Sequence, residues 1–323
     1  MDRENEYKIE RTLKDPLARA QEADALEHVS AYIDDDFVAI NGFDAYDNYC
    51  DWCLISYRGK SDTVVVPNII GRIKEGAFEN NEIIRKVVIP DSVNTIESNA
   101  FANCPNLQEV SIPDSITKIS SGMFHNFEML ESIVLPDSIT EIGYGAFQMD
   151  YAFKNSGYVP IVTNIEIKSS GLKSIIIPDS VTKIEDYAFS RSSLKSINIP
   201  DSVTELGEGV FSDCKNLTEV IFPQSLTEIP DNFFHASGLE RISIPEGIVK
   251  IGFGAFQFSD IKEVILPESL KKIEMEVFFL CVHLERINIP DSVVTIGYSA
   301  FSFCDELPMD VQERILEINP NAI

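Results

Sequence analysis

Basic residues are scarce in this sequence: 26 Lys and Arg stand against 52 Asp and Glu, a formal net charge of −26 over 323 residues. That deficit excludes nucleic acid as the natural partner, because phosphates recruit Lys and Arg, and it argues equally against an anionic membrane surface. Histidine is nearly absent, with His28, His125, His235 and His283 scattered along the chain. No Ser/His/Asp set, Cys/His pair or phosphate-binding glycine loop can be assembled, so the sequence reads as non-enzymatic and without cofactor or metal. Long hydrophobic runs are missing too, and nothing approaches the length that spans a bilayer. The first fourteen residues alternate charges around no apolar core, so no secretory signal is visible and a cytoplasmic location is expected. A cell-surface or secreted location follows only if the N-terminus is incomplete. Six cysteines are too few for a dense disulfide framework.

What is abundant is periodicity. Ten prolines are each followed eleven residues later by phenylalanine, from Pro67/Phe78 and Pro90/Phe101 to Pro267/Phe278 and Pro290/Phe301. Successive anchor prolines lie 22 or 23 residues apart, with one gap of 42 between Pro136 and Pro178. A fixed period of this size predicts a stacked solenoid, in which each unit touches only its neighbours.

Within one repeat, the residues three and one before proline are always apolar, as in Val87/Ile89 and Ile197/Ile199. Period two predicts a short strand with one buried face. Proline then ends the strand because it brings no N–H to a ladder. Asp-Ser usually follows, in residue types suited to capping a turn. Aliphatic residues three and six positions past proline lead to the Phe, which plugs the coil. Cys104, Cys214, Cys281 and Cys304 share one repeat position and read as small core residues with free thiols. Cys50-Asp51-Trp52-Cys53 is a lone CxxC without a second pair or a nearby His. It reads as packing in a cap, against the alternatives of a zinc or redox motif. The recurrent Asp after proline reads as turn chemistry rather than a calcium ladder. Gly143-Tyr144-Gly145 and Gly252-Phe253-Gly254 recur at the repeat period and mark turns.

The pattern L-x-x-I-x-I-P-D-S-V-x-x-I-x-x-x-A-F-x-x-C, matched closely by Leu194 to Phe211 and Leu284 to Phe301, resembles the BspA-like, or Treponema-type, leucine-rich repeat family over about residues 61–307. The resemblance implies a right-handed superhelix with a concave parallel sheet. It also implies a binding role, since similar proteins are mostly surface adhesion or interaction proteins of bacteria and some protists. Those proteins carry an export signal, which this sequence does not show.

Three regions are therefore expected. Residues 1–60 form an N-terminal cap, with a helix over about 16–33 and strands from Phe37 to Lys60; 61–307 form the solenoid; 308–323 form a capping helix with Val311, Ile315 and Ile318 on one face. The gap of 42 hides an insertion near 148–163 carrying Tyr151, Phe153 and Tyr158, either a binding loop or a shrunken repeat between Pro160 and Pro178. Outward positions on the inner strands are the other candidates. At two before proline lie Val65, Val88, Val134, Ile176, Ile221 and Ile265, and at four before lie Glu219, Arg241, Glu263 and Arg286. Apolar residues flanked by charges fit a monomeric scaffold that engages a protein or peptide on its concave face. The alternative is a secreted or surface adhesin for host matrix protein or glycan.

Overall fold

The structure is a computed structural model, which describes residues 30–43, 49–149 and 169–323. It is a β-solenoid of ten coils, numbered here by their anchor prolines from coil 1 at Pro67 to coil 10 at Pro290. Each coil contributes one strand before the proline and one after it. The first set, from Thr63–Val65 through Ser174–Ile175 to Arg286–Ile287, pairs in parallel and in register within several successive short sheets, as in Arg241↔Glu263 and Ile242↔Val264. The second set, from Arg72–Ile73 to Thr295–Ile296, does the same.

The core is a column of phenylalanines. Rings of successive coils lie nearly parallel, with centroids 4.9 Å apart for Phe78–Phe101, 5.8 Å for Phe189–Phe211 and 5.1 Å for Phe278–Phe301. All ten anchor-linked phenylalanines are fully buried. Parallel offset rings add to the burial of their own area. The aliphatic residues at fixed offsets from proline close around the column, among them Val93, Ile96, Leu107, Ile197 and Ile199.

The column also resolves the long gap. Phe147 and Phe189 stack at 5.4 Å, Ile133 pairs with Ile175, and Ile142 pairs with Ile184. Coil 5 therefore sits directly on coil 4, and the shrunken repeat that Pro160–Pro178 could have formed between them is excluded. The extra residues fall outside the described ones, and the chain beyond them is held in the stack by Ser170, whose N–H bonds the Arg191 carbonyl at 2.8 Å.

The Ser of each Asp-Ser pair plays a different part from the local turn cap expected. In every pair but the last its hydroxyl donates across to the previous coil, as Ser92 does to the Ile70 carbonyl at 2.8 Å, Ser138 to Ile116 at 2.6 Å, Ser180 to Ile139 at 2.6 Å and Ser202 to Val181 at 2.7 Å, whereas the buried Ser292 hydroxyl makes no such bond. The neighbouring Asp side chains point to solvent. Two further positions per coil take left-handed backbone, nine and thirteen residues past proline, Met149 at the second excepted. Gly145 (φ 53°) and Gly254 (φ 58°) occupy the first, as their recurrence in the sequence implies. The second glycine of interest, Gly143, is needed for close approach: a Cβ there would lie 2.8 Å from the Ile119 carbonyl oxygen.

Both ends are closed by chain that imitates a coil. The helix predicted over about 16–33 lies mostly outside the described residues, and its last part, Ser30–Ile33, is strand. This β1 pairs antiparallel with β2 (Phe37–Phe43), β2 with β3 (Tyr49–Tyr57), and β3 adds in parallel to Arg72–Ile73 of coil 1. Ser30 to Ile33 thus follow the edge pairing offered by β2 rather than the helical pattern of the residues before them. Tyr57 extends the aromatic column, 5.5 Å from Phe78. At the other end α1 (Met309–Ile318) buries Ile315 against coil 10. The tail then supplies the bonds a further coil would make: Phe301 N–H donates to the Ala322 carbonyl at 2.7 Å, and Asn319 Nδ2 donates to the Ile296 carbonyl at 2.8 Å.

The second set of strands is interrupted between Thr95–Ile96 and Lys118–Ile119 and again between Glu205–Leu206 and Glu228–Ile229. In most coils the residue after the strand donates its N–H to the previous coil, as Gly207 does to Ile184 and Gly252 to Ile229, each at 2.8 Å, and at the first break that residue, Ser120, donates its hydroxyl to the Ile96 carbonyl instead. In coil 7 that residue is Pro230, which has no N–H. A cleft of about 500 Å³ opens at this seam, lined by Leu206, Gly207 and Pro230.

Two outcomes are expected. Ser180→Ala removes an inter-coil bond and leaves the Ile139 carbonyl short of a donor, lowering unfolding free energy in urea titrations by about 1 kcal/mol. In hydrogen-exchange mass spectrometry, peptides carrying the Thr227 amide should exchange faster than those carrying Thr204 or Val249, whose N–H groups bond Thr182 and Thr227.

Candidate interaction surface

The alternation of the first strands decides which side chains face out. Val64, Val87, Ile133, Ile175, Ile197 and Val264 are buried, so their neighbours along the strand project to the opposite side. Val134 is 86% exposed and Ile176 is 84% exposed, on adjacent coils held in register through Ile133 and Ile175. Val65, Ile221 and Ile265 are each more than half exposed. Val88 is only half-buried.

Charge is distributed unevenly around this row. Four positions before proline, coils 4, 5 and 6 carry Ser132, Ser174 and Ser196, where most other coils carry a charge, and the Glu131–Lys173 ion pair lies one residue further back. Towards the N-terminus, Lys86 pairs with Glu109. Towards the C-terminus lie Glu219, which is exposed, and a ladder in which Glu263 meets Arg241 at 3.7 Å and Arg286 at 3.0 Å. The hydrogen bond from Arg286 holds the Glu263 carboxyl below the usual carboxylate range. These three charges, separate candidates in the sequence, are thus one network. Polar residues at the outward position are partly turned back to the backbone: Asn288 Oδ1 accepts from Leu266 N–H at 2.7 Å and its Nδ2 donates to the Leu266 carbonyl at 2.8 Å. An apolar centre with a charged rim is the general anatomy of a protein-binding patch. At the C-terminal end, Glu263, Ile265, Arg286 and Asn288 meet Pro308 and Val311 of the capping segment around a groove of about 420 Å³.

Tyr151, Phe153 and Tyr158 lie outside the described residues. One feature of the re-entry point escaped the repeat pattern. Arg191 and Asp213 are both buried, with their side chains 3.3 Å apart, in the coils next to the insertion. A buried charge needs its partner close and hydrogen-bonded, so this pair belongs to the frame. The signal was present in the sequence, as opposite charges 22 residues apart at one repeat position.

The cysteines carry no chemistry on this surface. Cys104, Cys214, Cys281 and Cys304 are free and buried. All four thiols donate to the Phe carbonyl of the coil below: Cys104 to Phe78 at 3.1 Å, Cys214 to Phe189 at 3.2 Å, Cys281 to Phe256 at 3.0 Å and Cys304 to Phe278 at 3.0 Å. Burial pushes Cys104 and Cys214 up to about 11 and Cys281 up to about 12, and it raises Cys304 as well. In the N-terminal cap, Cys53 is fully buried and disulfide-bonded. Among the described residues no group of three or more His, Cys, Asp or Glu is arranged to hold a metal, and no helix is long and apolar enough to cross a membrane.

A ten-coil parallel solenoid with a phenylalanine column and a proline-terminated inner strand defines a leucine-rich repeat protein. The family model described as "BspA type Leucine rich repeat region (6 copies)" matches residues 56–169, 161–281 and 227–322, and the chain belongs to this family. Among solved structures it resembles the pneumococcal vaccine antigen PcpA, at 17% identity over 86% of this chain and 80% of that one, with a TM-score of 0.55. A leucine-rich cell surface protein of Faecalibacterium prausnitzii is 24% identical over 86% of this chain and 93% of its own, with a TM-score of 0.45. A leucine-rich repeat protein of Bacteroides ovatus is 20% identical over 85% and 81%, also with a TM-score of 0.45. No curated protein matches the chain.

Iodoacetamide applied to the folded protein at pH 8 should leave Cys104, Cys214, Cys281 and Cys304 unmodified by mass spectrometry, and all four should react in denaturant.

Proposed function

We propose that the protein is a non-enzymatic interaction scaffold that engages a protein or peptide partner through the concave, first-strand face of the solenoid. The observation that supports this reading most is the pair Val134 and Ile176. Two β-branched side chains, each more than four-fifths exposed, stand side by side on a rigid sheet with Ser132 and Ser174 next to them on the same face and the Glu131–Lys173 ion pair beyond. They contribute nothing to the core, and apolar area in that position becomes favourable only when something covers it. The charged rim from Glu219 to Arg286 orients the partner and excludes wrong ones, which is the usual work of charges at an interface edge. A parallel sheet locked by a stacked core offers this face without reordering, so little binding energy is lost to induced fit.

Immobilised protein should capture a partner from extract or medium of the source cells, and the double substitution Val134→Glu, Ile176→Glu should abolish that capture. The thermal midpoint should not move, because neither side chain packs in the core. Undiminished capture by the double variant would remove this face from consideration.

A further inference from the structure

A second surface lies on the turn edge, away from the sheet face. It becomes visible when the position thirteen residues past each anchor proline is read down the stack. Every described residue in this row except Met149 has left-handed backbone: Asn80, Asn103 and Asn126 in coils 1–3, Arg191 and Asp213 in coils 5 and 6, Ala236 in coil 7, then Phe258 (φ 59°), Leu280 (φ 57°) and Phe303 (φ 66°) in coils 8–10. Asn suits this conformation because its short polar side chain bonds locally. A bulky apolar residue there is strained, by about 1 kcal/mol or more.

The strain is not offset by burial. The core phenylalanines of these coils are already Phe256, Phe278 and Phe301. Phe258 remains 43% exposed and Phe303 remains 55% exposed, with Val282 exposed beside them and Phe279 and Leu280 half-buried. The rings form a continuous edge-to-face strip: His235 to Phe258 at 5.4 Å, Phe258 to Phe279 at 5.8 Å and Phe279 to Phe303 at 5.5 Å. Four neighbouring coils thus present one apolar row, roughly 15 Å long at a strand spacing of about 4.8 Å.

The rim is acidic. Asp260, Asp305 and Glu306 are exposed and Glu276 is half-buried, and the stretches 254–260, 276–283 and 299–306 contain no Lys or Arg. A second copy of this chain docked strip to strip would bring these carboxylates together, and anionic lipid would meet the same repulsion. We propose that the turn edge of coils 8–10 is a docking surface for a polypeptide segment whose apolar side chains are flanked by Lys or Arg. The aromatic strip covers the apolar side chains, and the carboxylates meet the flanking cations. This surface is independent of Val134 and Ile176.

Three fluorescein-labelled synthetic peptides, added to the full chain at about 150 mM salt, test the assignment by anisotropy. One alternates Lys with Leu and Phe, the second replaces every Lys by Glu, and the third replaces the apolar residues by Ser. The first should bind and the other two should not. The triple variant Phe258→Asn, Leu280→Asn, Phe303→Asn should weaken binding at least about tenfold, whereas Val134→Glu, Ile176→Glu should leave it unchanged. Because Asn relieves the left-handed strain, the thermal midpoint of the triple variant should stay level or rise. Absence of binding by the parent protein, equal binding of the Glu or Ser peptide, or equal binding by the triple variant would overturn the proposal. So would a lowered thermal midpoint, which would make the strip structural. Self-association of the parent that the triple variant loses would identify the occupant as a second copy and likewise overturn it.

Discussion

The contact between one coil and the next carries the whole structure. A single coil of 22 or 23 residues encloses one phenyl ring and a few aliphatic side chains, too little buried area to offset the entropy of ordering its backbone. Stacking changes this, because both faces of each ring are covered by rings of the coils above and below, with centroids about 5–6 Å apart. The same spacing lets backbone N–H groups, serine hydroxyls and thiols reach carbonyls of the coil below. Apolar burial and polar satisfaction are therefore achieved by one geometric repeat.

Where that repeat is locally broken, the consequences are specific. Pro230 removes one inter-coil donor and splits the second set of strands, yet the Phe211–Phe234 stack persists at 6.1 Å. The insertion after Met149 leaves both ladders and the ring column continuous through Phe147–Phe189. The ends are treated by imitation, with Tyr57 taking the place of a core Phe and Ala322 the place of the next coil's acceptor. Because the frame repeats so strictly, residues outside its rules are conspicuous. Val134, Ile176, Phe258 and Phe303 are apolar, exposed and unused by the core.

The fold was legible in the sequence because period and burial are coupled. A side chain at a given offset from proline meets its own equivalents above and below, so ten recurrences report ten equivalent environments. Val134 and Ile176 could be placed on the outward face by alternation alone. The role of Ser180 could not, since a serine after proline and aspartate suits a local turn and an inter-coil bond equally well. Only the stacking distance puts the Ile139 carbonyl within its reach. The N-terminal cap was less legible because it does not repeat: Ser30–Ile33 became strand by pairing with β2, a long-range choice that local propensity does not carry.

By itself the sequence determined the architecture, the core residues and the two faces of the inner strand, since each depends on spacing, and spacing is a property of the chain. The tertiary structure decided what depends on distance between coils. It joined Arg241, Glu263 and Arg286 into one charge network, placed coil 5 directly on coil 4, and aligned Phe258, Phe279 and Phe303 into a continuous strip. The left-handed backbone under Phe258 and Phe303 follows the repeat position and not the residue type, because φ is set by how the turn closes against its neighbours.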